Sequence, residues 1–414
     1  MRAFLNKINP VNILVFFFLN TFLFPIYPFN LRPTLVVLLL LSSIAYAIKT
    51  KIRFNFKLNK ENKSFYINTS LFFILGIGLT YTKNFSTGAS ALFRMLPLLI
   101  FPLIFKFINN KKDISDQLIL KAYSFFYLAV VVLFFCFFIY FFFNGDITKN
   151  YLINYNERIN SLLGSYSLHP LYASIYISIA LILSINLYNE QVLNRGVLFF
   201  LNILLALNLI LLARKSAIII MLIFFVVYQL KFKKNKKVQK IFSVFMVISL
   251  AILIFIFVPD ISYRFEDFAT IFSNSNFNGS IGLRINIFKC SYSSILQNPI
   301  FGYGIGSVEN ILYDCYHSFP EVFNNKYYNT HNQYIGVWLY SGVLGFISLI
   351  TMLGYGLIKS IQTRDLISFA ILILFSSMML IESIFERQDG VFVFTLFINL
   401  IAFKNQGKNN NKDV

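Results

Sequence analysis

The chain has 414 residues, of which 57% are hydrophobic, 18% aromatic and only 13% charged. Soluble domains carry roughly a quarter charged residues, so one soluble core cannot house these 51 Phe residues, which need lipid or other helices around them. The net charge of +19 does not point to nucleic acid: the basic residues form short clusters between apolar runs, as topological signals do, and no basic stripe alternates with an aromatic platform.

A helix needs about 20 apolar residues to cross the hydrocarbon core. In chain order, runs that reach or approach this length cover residues 11–28, 33–48, 66–82, 89–108, 118–143 and 168–187. The second half adds 197–213, 216–230, 241–258, 334–358, 366–384 and 391–403. The pattern predicts an all-α integral membrane protein with about 12 transmembrane helices. The first run leads into the second without a small-residue cleavage site, so it reads as a membrane helix. An even count puts both termini on one side. If that side is the cytoplasm, inside segments hold about twice as many Lys and Arg as outside ones, including the dense clusters at 49–63 and 231–240. The expected layout is a bacterial inner-membrane protein with a polar cytoplasmic tail at 404–414. One large, partly helical periplasmic loop spans 259–333, between helices 9 and 10, and a smaller one spans 144–167. A connection as long as the first is usually functional.

Cysteine is scarce. Cys136 lies in an apolar run, while Cys290 and Cys315 fall in the large loop. A Cys290–Cys315 bridge is one reading if that loop is extracytoplasmic; two free thiols is the other. Three Cys exclude a disulfide scaffold or a Cys-rich zinc site, and the three His lack ligand spacing, so neither metal nor cofactor is expected.

Several charges sit in unusual company. Arg214 and Lys215 separate two short apolar runs. Joined as one helix, residues 197–230 would be about 51 Å long, too long for a core of about 30 Å. The chain must therefore turn at Arg214, slightly below the membrane surface. An arginine there either snorkels to lipid phosphates or serves as a recessed anion ligand. Downstream, Ser280 to about Gln297 reads as a helix lying on the membrane surface, with Phe288, Tyr292, Ile295 and Leu296 on one face. Arg284 falls near its first turn, where the helix dipole disfavours a cation unless a phosphate joins it. Gly302, Gly304 and Gly306 alternate in a shaped turn that is neither a P-loop nor a dinucleotide loop.

His331 begins helix ten at the outer boundary, and imidazole is the side chain best suited to proton exchange near neutral pH. The bland reading is a satisfied polar residue. His169 likewise starts a span. Glu382, the one acid well inside an expected span, is placed to orient a histidine or an arginine; an Arg387–Glu pair closing the last turn is the alternative. Two arginines and a histidine on one face suit a diphosphate leaving group and an attacking hydroxyl. A secondary transporter is the competing class, but it usually carries acidic residues at mid-membrane, which are nearly missing here.

The same residues resemble the O-antigen ligase superfamily, which includes bacterial polysaccharide polymerases. The likeness rests on four pieces between about residues 160 and 400. They are Ala213-Arg214-Lys215-Ser216; Gly282-Leu283-Arg284 with Asn298-Pro299-Ile300-Phe301-Gly302-Tyr303-Gly304; Thr330-His331-Asn332-Gln333-Tyr334 with Ser341-Gly342; and Glu386-Arg387-Gln388-Asp389-Gly390. The resemblance implies an inverting, metal-independent glycosyltransferase that moves a glycan from an undecaprenyl-diphosphate carrier to an acceptor hydroxyl. The acceptor would be a glycan, a lipid A core or a protein. Arg214 and Arg284 would bind the diphosphate and His331 would activate the acceptor. Lys215, His169, Asn332, Glu382 and Arg387 would support them, although Lys215 stands where many members have a small residue.

Overall fold

A computed structural model describes residues 9–52, 62–108, 115–144, 168–212, 214–231, 280–317 and 327–410. The expected span at 241–258, the loop at 144–167 beyond its first residue, and the first part of the large loop lie outside these residues. The described residues are helical and carry no strand, consistent with the need of every backbone group in lipid to find an internal partner.

The helices in chain order are α1 (Pro10–Thr21), α2 (Arg32–Lys49), α3 (Lys63–Ile77), α4 (Phe85–Arg94), α5 (Pro97–Phe107), α6 (Asp116–Asn144) and α7 (Pro170–Asn189). They continue with α8 (Arg195–Leu211), α9 (Lys215–Lys231), α10 (Ser280–Gln297), α11 (Val308–Tyr316), α12 (Gln333–Gln362), α13 (Leu366–Met379) and α14 (Gln388–Asn410). Among these residues, five segments are long and apolar enough to cross a bilayer: α2, α4 joined with α5, the greater part of α6, α7, and α12. The chain is thus an all-α membrane protein. Helices α1, α8, α9 and α13 are apolar but shorter.

The helix ends have local causes. Proline opens α1, α5 and α7, where its missing N–H costs nothing. Asn9, Asn194 and Asp365 cap α1, α8 and α13 with side-chain oxygens on backbone N–H groups. Arg94 lies within the crossing segment Phe85–Phe107, as expected, and is exposed at the end of α4 where the chain breaks before Pro97. The last helix continues past residue 403 to Asn410. Helix α13 stops at Met379, so Glu382 lies in the turn after it rather than within a span.

Helices α7 and α14 form the interior; the side chains of α14 from Val391 to Phe403 are almost all buried. Helix α5 packs on α2, α3 and α14, and α13 packs between α7, α9 and α12. Outward-facing Phe73, Phe93, Phe199, Phe200, Leu344 and Ile347 are exposed, as lipid-facing side chains should be. At one end of α14, Lys404 pairs with the α13 cap Asp365 at 2.7 Å. At the other end, Asp389 pairs with the buried Arg32 that opens α2.

Candidate active site

Two turns build the site. The first precedes α12. Asn332 caps that helix by accepting from the N–H groups of Tyr334 and Ile335 at 3.0 and 3.1 Å. Its amide also donates to the Leu380 carbonyl at 3.0 Å, tying the start of α12 to the end of α13. Thr330 donates to the Asn332 carbonyl and meets the Ser383 hydroxyl. Between them, His331 adopts φ +44°, a left-handed conformation that costs a non-glycine residue on the order of 1 kcal/mol or more. Its N–H is held by the Asn329 side chain at 2.9 Å. The surrounding bonds over-determine this backbone and fix the direction of the imidazole.

The second turn follows α13 and carries Glu382. One oxygen accepts from Arg284 Nη2 at 2.8 Å, and the other faces His331 Nδ1 at 3.1 Å. Arg284 donates a further bond, from Nη1 to the Ile381 carbonyl at 2.8 Å. Burial pushes the Glu382 carboxyl up, but the His331 bond and the Arg284 charge outweigh it and hold the group below the usual carboxylate range. An ionised carboxylate only accepts, so Nδ1 donates to it, and in the neutral imidazole the lone pair lies on Nε2. Among the described residues, Nε2 has no hydrogen-bond partner. A carboxylate-oriented imidazole with a free nitrogen is the arrangement of a general base.

Arg214 lies where the chain turns between α8 and α9, and its carbonyl accepts the Ile218 N–H of the first turn of α9. The turn is thus where the apolar runs placed it. Lys215 is the first residue of α9 and is half-buried. His169 caps α7 by accepting the Leu171 N–H on Nδ1 at 3.2 Å. Burial first, and then the charges of Arg214 and Arg387, pull the His169 pKa down to about 4, with Glu382 opposing. His169 therefore stays neutral, and Arg214, Arg387 and Glu382 all lie within electrostatic reach of its ring. Arg387 is exposed and forms no ion pair among the described residues, so the last turn is not closed by an Arg387–Glu pair.

The glycine turn also has a use. Gly302 and Gly304 adopt φ +66° and +79°. They wedge the loop between two elements: the Tyr303 N–H reaches the Leu339 carbonyl, and the Gly306 N–H reaches Thr82 Oγ1. Gly342 breaks α12 at φ +66° and accommodates the Ile300 carbonyl; a Cβ there would lie 1.9 Å from it. Cys290 and Cys315 are bonded and join α10 to α11. The expected apolar face of α10 is split. Ile287 and Cys290 turn inward and Ile295 is buried, while Tyr292 and Leu296 stay exposed. Of the expected apolar face, only Ile295 is buried, where α10 packs on α11 and α12.

Sequence reasoning missed the Arg32–Asp389 pair, whose partners stand 357 residues apart, and the bond from Tyr340 to Glu386 at 2.9 Å. Only the position of Asp389 and Glu386 in the last turn hinted at either.

No curated protein matches the chain. Residues 200–350 match the family model for O-Antigen ligase, a window that contains Arg214, Arg284, His331 and the glycine turn, while Glu382 lies beyond it. Over that window the chain is similar to the O-antigen ligase family.

Proposed function

We propose that the protein transfers a glycan from an undecaprenyl-diphosphate carrier to an acceptor hydroxyl at the periplasmic face of the inner membrane. The observation that carries this reading is the Glu382 bridge, which joins a base to a cation through one carboxylate. In the proposed step, His331 Nε2 takes the proton of the acceptor hydroxyl as its oxygen attacks the anomeric carbon. The bond from that carbon to the diphosphate oxygen breaks on the opposite face, and the electron pair leaves with the diphosphate. One displacement inverts the anomeric centre. Arg284, Arg214 and Arg387 offset the developing charge; guanidinium groups bind phosphate bidentately and cannot deprotonate. This charge compensation needs no metal.

The side of the membrane rests on two supports. The basic clusters favour a cytoplasmic location for both termini, which leaves the site outside. The Cys290–Cys315 bond suits an oxidising compartment. His169, Asn332 and Lys215 then act as a helix cap, a clamp and a neighbour of Arg214, rather than as reacting groups.

The test is deletion of the gene and complementation with His331→Ala and Arg214→Lys. Lost surface glycan with polymer retained on the lipid carrier identifies a ligase; single repeat units identify a polymerase. Near-normal transfer by His331→Ala sinks the base assignment, and full activity in Arg214→Lys means that charge alone suffices.

A further inference from the structure

The surroundings of His331 are chemically unequal. Glu382 links it to Arg284, and Arg214, Arg387 and Glu382 all act electrostatically on His169. A different group of residues also lies within electrostatic reach of His331. Glu386 sits in the 3₁₀ turn Ile384–Glu386, recessed but still partly open to solvent. Its charge and that of His331 feel one another. Glu309, in the first turn of α11, acts on both Glu386 and Tyr327, and Tyr327 and Tyr340 both feel Glu386. Arg94 opposes this by lowering Glu386, as His331 does.

The two groups suit different ligands. A diphosphate carries at least two negative charges; beside Glu386 and Glu309 it meets repulsion, and beside Arg214, Arg284 and Arg387 it meets attraction. A sugar is neutral and dense in hydroxyl donors, and carboxylates and tyrosines are its natural partners. Glu386 is half-used. One oxygen accepts from the Tyr340 hydroxyl at 2.9 Å, and the second has no hydrogen-bond partner among the described residues. Burial pushes the Glu386 carboxyl up, as it does for a buried carboxylate with few hydrogen-bond donors.

We propose that Glu386 binds the acceptor: its free oxygen accepts a hydrogen bond from a hydroxyl of an acceptor sugar, next to the hydroxyl that His331 deprotonates. The assignment rests on the transferase reading above. It divides the substrates by charge, with the lipid diphosphate on the arginines and the acceptor sugar on Glu386, Tyr340 and Tyr327.

The variant Glu386→Gln isolates this contact. Its one amide oxygen can still accept from Tyr340, while an NH2 group replaces the oxygen offered to the sugar. Glycan transfer is measured in a deletion strain complemented with each variant. Binding of farnesyl diphosphate, as a short diphosphate lipid, is measured on the purified full chain together with its melting temperature. Loss of one hydrogen bond to a charged group predicts a drop in transfer of about tenfold to a hundredfold. Farnesyl diphosphate binding and melting should match the wild type. Glu386→Asp should recover part of the transfer, and Tyr340→Phe, which leaves the carboxylate in place, should lose less than Glu386→Gln. Unchanged transfer by Glu386→Gln overturns the assignment, as does a loss of farnesyl diphosphate binding or of melting temperature alongside transfer. Arg284→Ala separates the two ideas. If it binds farnesyl diphosphate as well as the wild type, the donor assignment fails, whereas the Glu386 outcome is read from its own variant.

Discussion

Replacing Glu382 by glutamine is the sharpest perturbation of this site, because one carboxylate sets both the tautomer of His331 and the pose of Arg284. The native carboxylate accepts from Nδ1 at 3.1 Å and from Arg284 Nη2 at 2.8 Å. A glutamine has one acceptor oxygen for two donors. If that oxygen keeps Arg284, the amide NH2 faces Nδ1 and donates to it, so the ring proton moves to Nε2, where the base needs its lone pair. General base catalysis is worth about 10²–10⁴ in rate, which is about 3–5 kcal/mol of barrier. The stability change should be far smaller. The arginine and histidine partners remain 30% and 25% exposed, and ion pairs open to solvent contribute about 1 kcal/mol or less. We therefore expect Glu382→Gln to fold, insert and melt near the wild-type temperature while transfer falls at least a hundredfold. Glu382→Asp, shorter by one methylene but still a carboxylate, should recover part of the rate. Initial rates of glycan transfer in membranes from a deletion strain, beside melting curves of the purified variants, measure both quantities. Transfer within about threefold of the wild type would falsify the orientation of His331 by Glu382.

Three further outcomes follow from the geometry. The imidazole of His169 is held down to about 4 in the folded chain and takes its proton near 6.5 when unfolded. Between those values the unfolded state binds the extra proton, so stability should fall as pH drops from about 6.5 towards 4. His169→Asn keeps a capping oxygen and should flatten that slope in melting curves; an unchanged slope refutes the account. Removing the Cys290–Cys315 bond releases a loop whose ends are 25 residues apart, worth up to about 3.5 kcal/mol by chain entropy. The double Cys→Ser variant should expose α10 and α11 to protease, and native protein whose two thiols react freely with maleimide contradicts the bond. Finally, Gly342→Ala puts a methyl against the Ile300 carbonyl and should cost about 3 kcal/mol or more. Gly354→Ala, on the same helix with nothing within 4 Å, should be tolerated; equal yields of the two proteins dispose of the idea that the Gly342 break seats the glycine turn.

Much of this molecule is written locally. Apolar run length, proline at helix starts and capping residues such as Asn332 act over a few neighbouring positions, so the helices and the turn at Arg214 are legible in the chain. The expected helix from Ser280 to about Gln297 matches the observed one. His331 and Arg284 could be singled out because charge and imidazole are rare between apolar runs. What joins them could not be read. Glu382 lies 51 residues from His331 and 98 from Arg284, and hydropathy assigned it to a span because its apolar neighbours mask the end of α13. The inward face of α10 likewise depends on α11 and α12. The amino-acid order alone determined that this protein crosses a membrane and which rare polar residues border the crossings. Only the tertiary structure decided which of those residues share a carboxylate, because side-chain pairing depends on how distant helices pack and leaves no periodic trace in the chain.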